Sequence, residues 1–319
     1  MAKILCMGMA LADVLVKGLS EEHMTDEIRL AEEIEMRPGG DAFNEAVILA
    51  RLGNEVRLAA EIGDDGAADF VIGEARKQGV DVRGVIRNPE FSTRIMLLTI
   101  DERGERRQIS KKLKSYLPGE TFYAQINGAD VVSLASLFRP PFDEKEAILK
   151  TAKRAKEQGA IVCADIKTND GSKTLADFGE ALSYIDYIFP NEAEARFHTG
   201  KETPREMGQV LLDLGFGHVV IKLGSRGCYA CSKEEGFFMP SFLVKAVDST
   251  GAGDNFAAGF MTALAEGKSF NQCCRFASAV AAVSVQSLGA ISGVKSRAQV
   301  EEFIRSRTAE RPVVGRVDK

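Results

Sequence analysis

Short, mainly apolar runs that recur along the chain constrain this sequence more than any single residue does. They are Lys3–Met9, Val131–Leu137, Ala160–Ile166, Tyr187–Phe189 and His218–Leu223. The later ones start roughly 30 residues apart, the span of a strand–helix–strand unit. Helix-like stretches such as Glu144–Gln158 and Pro204–Leu214 lie between them. Strands apolar throughout that alternate with helices predict a parallel sheet covered on both faces. Ligands on such a sheet bind beyond the carboxyl ends of its strands. Two segments, 11–37 and 92–115, break the rhythm with alternation and charge but no strong helical face. Ser92–Asp101 reads as a strand, Glu102-Arg103-Gly104-Glu105 as a turn, and the residues after the turn as a return strand. Both segments are read as a small sheet projecting from one domain over 1–310. The polar end of the chain, from Arg307 through Pro312, is predicted to fray, with 311–319 as a flexible tail.

The bulk properties exclude several classes. With 45% hydrophobic and 27% charged residues, the chain has an ordinary globular balance. A net charge of −5 argues against broad nucleic-acid binding. No apolar run reaches the ~18 residues of a membrane span, and the N-terminus enters a strand-like segment without a signal-peptide layout. A cytosolic protein is therefore expected. Six cysteines in 319 residues are no disulfide scaffold. Cys6 and Cys163 read as small core residues. The lone pair Cys228 and Cys231, if on a strand, points its thiols to opposite faces, which suits neither metal nor redox use.

Chemistry concentrates at two helix mouths. Gly251-Ala252-Gly253-Asp254 precedes an apolar face of Phe256, Phe260, Met261 and Leu264. Unpaired N–H groups and the helix dipole favour an anion there, and the small residues let it approach. A carboxylate beside an anion pocket makes sense if it takes a proton from an attacking hydroxyl. It makes equal sense as a helix cap. The second mouth is Arg37-Pro38-Gly39-Gly40-Asp41-Ala42-Phe43-Asn44, where Asn44 offers both a donor and an acceptor to a polyhydroxylated ligand. Asp13, just past the first strand, is placed to hold hydroxyl groups or to be a solvated loop residue.

Together, Gly39–Gly63 and Asp248–Met261 resemble, in order and separation, the two signatures of the PfkB (ribokinase-like) carbohydrate kinases. The resemblance covers nearly the whole chain. It implies a doubly wound, mostly parallel α/β fold with helices on both faces, plus a small β-sheet lid. It implies phosphoryl transfer from ATP to a sugar hydroxyl, with Asp254 as base and Gly251, Ala252 and Gly253 as an anion hole. Asp13, Gly39, Gly40 and Asn44 match sugar contacts. Asn191 and Glu194 fit an N-x-x-E motif, the first near phosphate and the second organising the water shell of Mg²⁺. Lys222, Gly224 and Gly227 resemble the loop that lies along ATP, and Ser278 is expected near adenine. Asp248, Thr250, Ser284, Ser287 and Gly289 align with a monovalent-cation site, largely through backbone carbonyls, so K⁺ is an expected activator. Gly293 stands where some members have a serine ligand.

Departures bear on the substrate. Asp41 and Ala42 replace the lysine and second glycine of ribokinases, Phe43 is bulkier than their alanine, and Ser133–Leu137 lacks the glutamate they use near the sugar. Ribose is disfavoured. A neutral hexose or pentose, such as the ketohexose fructose, is the expected acceptor. A nucleoside, a sugar acid or a sugar phosphate is the alternative. Arg94, Arg139 and the basic stretch Arg103–Lys114 would suit an anionic substrate, but are read as charged lid edges that discourage aggregation. Alternation of Ile95, Leu97 and Thr99 gives the lid an apolar face, so a homodimer through it is expected. The chain lacks the G-x-G-x-x-G of a nicotinamide dehydrogenase, and Thr262 spoils a P-loop ending in Gly267-Lys268-Ser269. A sensor on the same fold could dispense with Asp254, which this chain keeps.

Overall fold

The computed structural model describes residues 2–19, 30–101, 106–111, 114–168 and 171–308. The turn expected at 102–105 and the tail expected at 311–319 lie outside the described residues.

The chain runs β1 (Lys3–Met7), β2 (Leu11–Leu19), β3 (Glu33–Gly39), α1 (Asp41–Arg51), β4 (Glu55–Gly63), α2 (Gly66–Lys77), β5 (Asp81–Asn88), β6 (Ile95–Asp101) and β7 (Arg106–Ser110). It continues through α3 (Glu120–Tyr123), β8 (Val131–Leu137), α4 (Lys145–Glu157), β9 (Ile161–Ile166), β10 (Tyr187–Ile188), α5 (Glu192–Thr199) and α6 (Pro204–Asp213). It ends with β11 (His218–Lys222), β12 (Cys228–Cys231), β13 (Gly236–Met239), α7 (Ala252–Ala265), α8 (Phe270–Ser284) and α9 (Arg297–Thr308).

Nine strands form one sheet in the order β13-β12-β11-β10-β9-β8-β1-β4-β5. The seven from β11 to β5 pair in parallel, and β12 and β13 close one edge antiparallel. This is the doubly wound α/β arrangement expected. Successive residues of each strand feed different cores. Ile4 and Cys6 enter the core that also holds the buried faces of α1, α2, α7 and α8, while Leu5 and Met7 enter the one that holds those of α4 and α6. Cys228 lies in the first core and Cys231 in the second, and both are free thiols. The C-x-x-C pair therefore straddles the sheet. Local chemistry sets the helix starts: reciprocal capping boxes join Asn191 with Glu194, Thr203 with Glu206 and Ser269 with Gln272.

A second, four-stranded sheet has the order β3-β2-β6-β7 and comprises the two segments that interrupt the βα rhythm. Its register puts Val14, Val16, Ile34, Met36, Ile95, Leu97, Thr99 and Ile109 on one face. That face is open: Ile34 is 70% exposed and Ile109 62%. Among the described residues no helix is long and apolar enough to cross a membrane.

The tight contact between α7 and α8 offers a paired test. A Cβ on Gly259 of α7 would sit 2.8 Å from Val280 Cγ2 and 3.0 Å from Ala277 Cα of α8, whereas one on Gly73 of α2 meets nothing within 4 Å. Helix propensity favours alanine by roughly 0.5–1 kcal/mol at either site, but overpacking costs about 1–3 kcal/mol. Urea unfolding should show Gly73→Ala stabilised and Gly259→Ala destabilised.

Candidate active site

The strand order reverses at β1. From it the chain builds outward through β4 and β5, then returns to β8 on the other side. Beyond the carboxyl ends of the strands at such a switch point there is a crevice. Into it come the turns after β1, β8 and β9, the mouth of α1 and the mouth of α7.

Gly251 begins α7 with φ 71°, a conformation suited to glycine, and no side chain caps the helix. A Cβ there would also lie 2.5 Å from that of Ala290. The Asn255 amide donates to the carbonyls of both Gly251 and Ala290, at 2.8 and 2.7 Å, and clamps the two segments together. Asp254 is buried and takes no part in capping. Its Oδ2 accepts a 2.7 Å hydrogen bond from Asn44 Nδ2, and its Oδ1 lies 3.9 Å from Lys167 Nζ. Burial, then the neighbouring Asp41 carboxylate, pushes its pKa up to about 7 against the opposing pull of Lys167 and the Asn44 bond. The capping alternative fails on this geometry.

The mouth of α1 faces it. Gly40 has φ 97°, and a Cβ there would lie 2.5 Å from the Met9 carbonyl, while one on Gly39 would strike the Asp13 carboxylate. Asp13 is thus pressed against the paired glycines. Burial first, and Asp41 after it, pushes Asp13 up to about 6, with Arg94 opposing. Asn44 is committed to Asp254 through its donor, and its Oδ1 is buried without a partner. The structure therefore makes Asn44 a partner of Asp254 first. Strand β8 carries no carboxylate, but α1 brings two to it: Ser133 donates to Glu45 at 2.6 Å and Ser136 donates to Asp41. Glu45 is fully buried, and burial pushes its carboxyl well above the usual carboxylate range.

A second group lies over β9, β10 and β11. Lys222 is bridged to Asn191 backbone to backbone. Its ammonium is bound at 2.9 and 2.7 Å to the two oxygens of Asp165, a buried residue at the end of β9. Lys222 is therefore an ion-pair partner of Asp165. Its Nζ also lies 3.0 Å from where a Cβ on Gly253 would be, which ties this group to the mouth of α7. Gly224 and Gly227 close the turn after β11, Gly227 donating to the Gly224 carbonyl at 3.0 Å. Glu194 accepts from Asn191 N–H at 2.7 Å, and the Asn191 side chain accepts from Glu194 N–H at 2.9 Å. Burial, then Asp165, raises Glu194 above the usual carboxylate range. Ser278 is buried in α8 with its hydroxyl unpartnered, and no described contact ties it to this group.

Two of the segments expected to form a cation loop meet at Asp248. Asp248 accepts from Thr250 N–H and hydroxyl through Oδ1 and from Gly289 N–H through Oδ2. Ser287 N–H reaches the Ser284 carbonyl at 3.3 Å. A Cβ on Gly293 would lie 2.5 Å from that same carbonyl, so a serine does not fit there without movement.

Sequence reasoning missed Lys167, Asp165 and Glu45. Lys167 sits between Asp254 and Asp41, 3.4 Å from the latter. Burial pulls its pKa down, but the carboxylates of Asp254, Asp41 and Asp165 outweigh that and hold the ammonium above its ordinary value. The available signal was a charged residue at the end of an otherwise apolar run, in Ile161–Ile166 followed by Lys167.

Residues 1–297 match the family model for pfkB family carbohydrate kinases. The ribokinase of Haemophilus influenzae is 32% identical over 83% of this chain and 87% of its own. The 2-dehydro-3-deoxygluconokinase of Bacillus subtilis is 26% identical over 84% of this chain and 86% of its own. The structure of Arabidopsis thaliana ribokinase complexed with ribose and ATP superposes with a TM-score of 0.84 at 26% identity, covering 95% of this chain and 98% of that one.

Proposed function

This chain belongs to the pfkB family of carbohydrate kinases, phosphotransferases that act on a sugar hydroxyl, and from that premise we propose that it is an ATP-dependent kinase with Asp254 as its base. The observation that carries the reading is the buried Asp254 carboxylate at the uncapped mouth of α7, oriented by Asn44. The acceptor hydroxyl gives its proton to Asp254 Oδ1 as its oxygen attacks the γ-phosphorus. The bond from that phosphorus to the β,γ-bridging oxygen breaks, and ADP leaves. The backbone N–H groups of Gly251–Gly253 stabilise the transferring group, and the Lys167 ammonium offsets charge between Asp254 and Asp41. Asn191 and Glu194, beside Asp165 and Lys222, form the nucleotide side. Two neighbouring buried carboxylates, Glu194 and Asp165, fit a water-bridged Mg²⁺, which when bound neutralises charge on the β- and γ-phosphates.

Asp13 against the Gly39-Gly40 turn supports a polyhydroxylated acceptor. Similar proteins are named for a neutral sugar and for a sugar acid. Fructose is the neutral acceptor expected from Asp13 and Asn44 alone.

Asp254→Asn keeps the size and polarity of the side chain and removes the proton acceptor. Steady-state kinetics should show kcat reduced ~10²–10⁴-fold, with a nearly unchanged melting temperature and ATP still bound. Near-normal kcat sinks the mechanism. Because the base must be ionised and its pKa is pushed up to about 7, wild-type kcat/KM should fall about tenfold per pH unit below that value. The residual activity of the asparagine variant should lack this acid limb.

The loop from Asp248 to Gly289 adjoins the mouth of α7 through the contact of Gly251 with Ala290. A monovalent cation held by its carbonyls would fix that mouth. K⁺ should raise kcat over Na⁺ at matched ionic strength, and equal rates in the two salts would remove the site.

The open apolar face of the small sheet supports a homodimer in which two such faces cover each other. Light scattering at micromolar concentration should give the dimer mass for the wild type and the monomer mass for Ile34→Asp/Ile109→Asp. A monomeric wild type with full activity would overturn this.

A further inference from the structure

Arg94 adjoins the start of β6 and bonds to the edge strand β7 of the small sheet, whereas Arg139 comes from the end of β8 in the main sheet. Arg94 is half-buried, with Nε donating to Ser110 Oγ at 2.9 Å and Nη1 lying 3.4 Å from Met9 Sδ. Met9 is the residue whose carbonyl abuts Gly40, so the guanidinium borders the paired glycines at the mouth of α1. Arg94 also enters the small sheet beside the substrate-facing strand, its carbonyl accepting from Ala12 N–H at 3.0 Å. Arg139 is only partly exposed and sits just past the end of β8. Its Nη1 donates to the carbonyl of its own neighbour, Phe138, at 3.0 Å, and its N–H reaches back to Ser136, whose hydroxyl holds Asp41. Phe138 has φ 66°, a strained value for a bulky residue, so the backbone that presents Arg139 is held in one conformation.

Each arginine thus comes from a different element to the same side of the crevice, the side of Asp13 and Asp41. Among the described residues neither guanidinium has a carboxylate within 4.0 Å. They lie close enough that Arg139, after burial, is what most depresses the pKa of Arg94. Asp41 is already engaged by Lys167. Asp13 and Asp41 act on Arg94 only from a distance, so among the described residues the two guanidinium groups have no carboxylate in contact. Like charges brought together with no partner are unfavourable unless an anion joins them. The uncommitted donors, Nη2 of Arg94 with Nε and Nη2 of Arg139, have the planar fork that a carboxylate matches in two-point contact.

Resting on the kinase reading of the site, we propose that the acceptor is a sugar acid whose carboxylate is held by Arg94 and Arg139 while a distant hydroxyl is presented to Asp254. The two arginines are then the residues that select the substrate, and Asp13 and the Gly39-Gly40 turn bind its hydroxyls.

The test measures ADP release by the full chain with gluconate, 2-dehydro-3-deoxygluconate, fructose, ribose, fructose 6-phosphate and ribose 5-phosphate. One of the acids should exceed every neutral sugar and every phosphate in kcat/KM by about tenfold or more. Arg94→Gln and Arg139→Gln should each raise KM for that acid roughly 10–100-fold, the range for losing a charge-assisted hydrogen bond, with a smaller change in kcat. The preference for the acid over its neutral counterpart should collapse. Preference for a phosphate overturns the carboxylate assignment. Preference for a neutral sugar, or glutamine variants that change acid and neutral KM equally, overturns the role of the arginines. If no acceptor is phosphorylated, the kinase reading fails, and calorimetry still decides this proposal. Binding of either acid that is lost in both glutamine variants supports it, and absence of binding to the wild type overturns it.

Discussion

A carboxylate kept out of water at the mouth of a helix is the constraint around which this crevice is organised. Asp254 cannot stay ionised in that position without compensation, because burial alone favours the neutral acid. Asn44 supplies one hydrogen bond and Lys167 one nearby positive charge, and both come from other segments of the chain. Asp41 adds a like charge on the far side of Lys167. The result is a group poised near neutrality, where a base combines partial ionisation with useful proton affinity. Removing any of the three neighbours would move that balance. The mouth of α7, the mouth of α1 and the end of β9 are therefore linked electrostatically as well as by packing.

The parallel sheet is what allows such distant residues to meet. Every parallel strand ends at the same edge, so the turns after β1, β8, β9 and β11 converge on one side. The reversal at β1 leaves room between them. Charged groups at that edge then divide into two sets. Asp165 and Lys222 neutralise each other next to Glu194 on one compact side. Asp13, Asp41, Arg94 and Arg139 lie on the other side, where among the described residues no carboxylate reaches either guanidinium within 4.0 Å. Asp254 and Lys167 stand between the two.

Much of this was legible in the sequence because it rests on period and spacing. The two cores come directly from strands apolar on both faces, and the straddling of the sheet by Cys228 and Cys231 comes from period two. Ile95, Leu97 and Thr99 disclosed the open face of the small sheet for the same reason. The glycines at 39, 40 and 251–253 marked the two mouths. What could not be read were pairings between remote segments. Nothing near Lys167 in the chain announces Asp254 or Asp41, and nothing near Lys222 announces its ion pair with Asp165. Glu45 looks like a surface residue of α1, since only the fold shows it buried against Ser133. Asp254 itself was ambiguous between cap and base, because both roles place a carboxylate in the first turn. The partner of its Oδ2, an amide 210 positions away, takes the carboxylate out of the capping role.

The small sheet carries the sharpest consequence of period two. It is one layer thick, so each strand must serve both of its faces at once. In β2, Val14 and Val16 share the open face with Ile34 and Met36, while Asp13 points to the side of Gly39 and the crevice. A slip of one residue between β2 and its neighbours would turn Asp13 outward and an apolar residue inward. Register is fixed at the base, where Leu11 pairs with Gly39 and Ala12 with Ile95. Gly39 is also the residue that Asp13 touches. The contact that places Asp13 at the crevice is therefore the contact that sets which face of the sheet is left apolar. The position of that carboxylate and the character of the outer surface cannot vary independently in this fold.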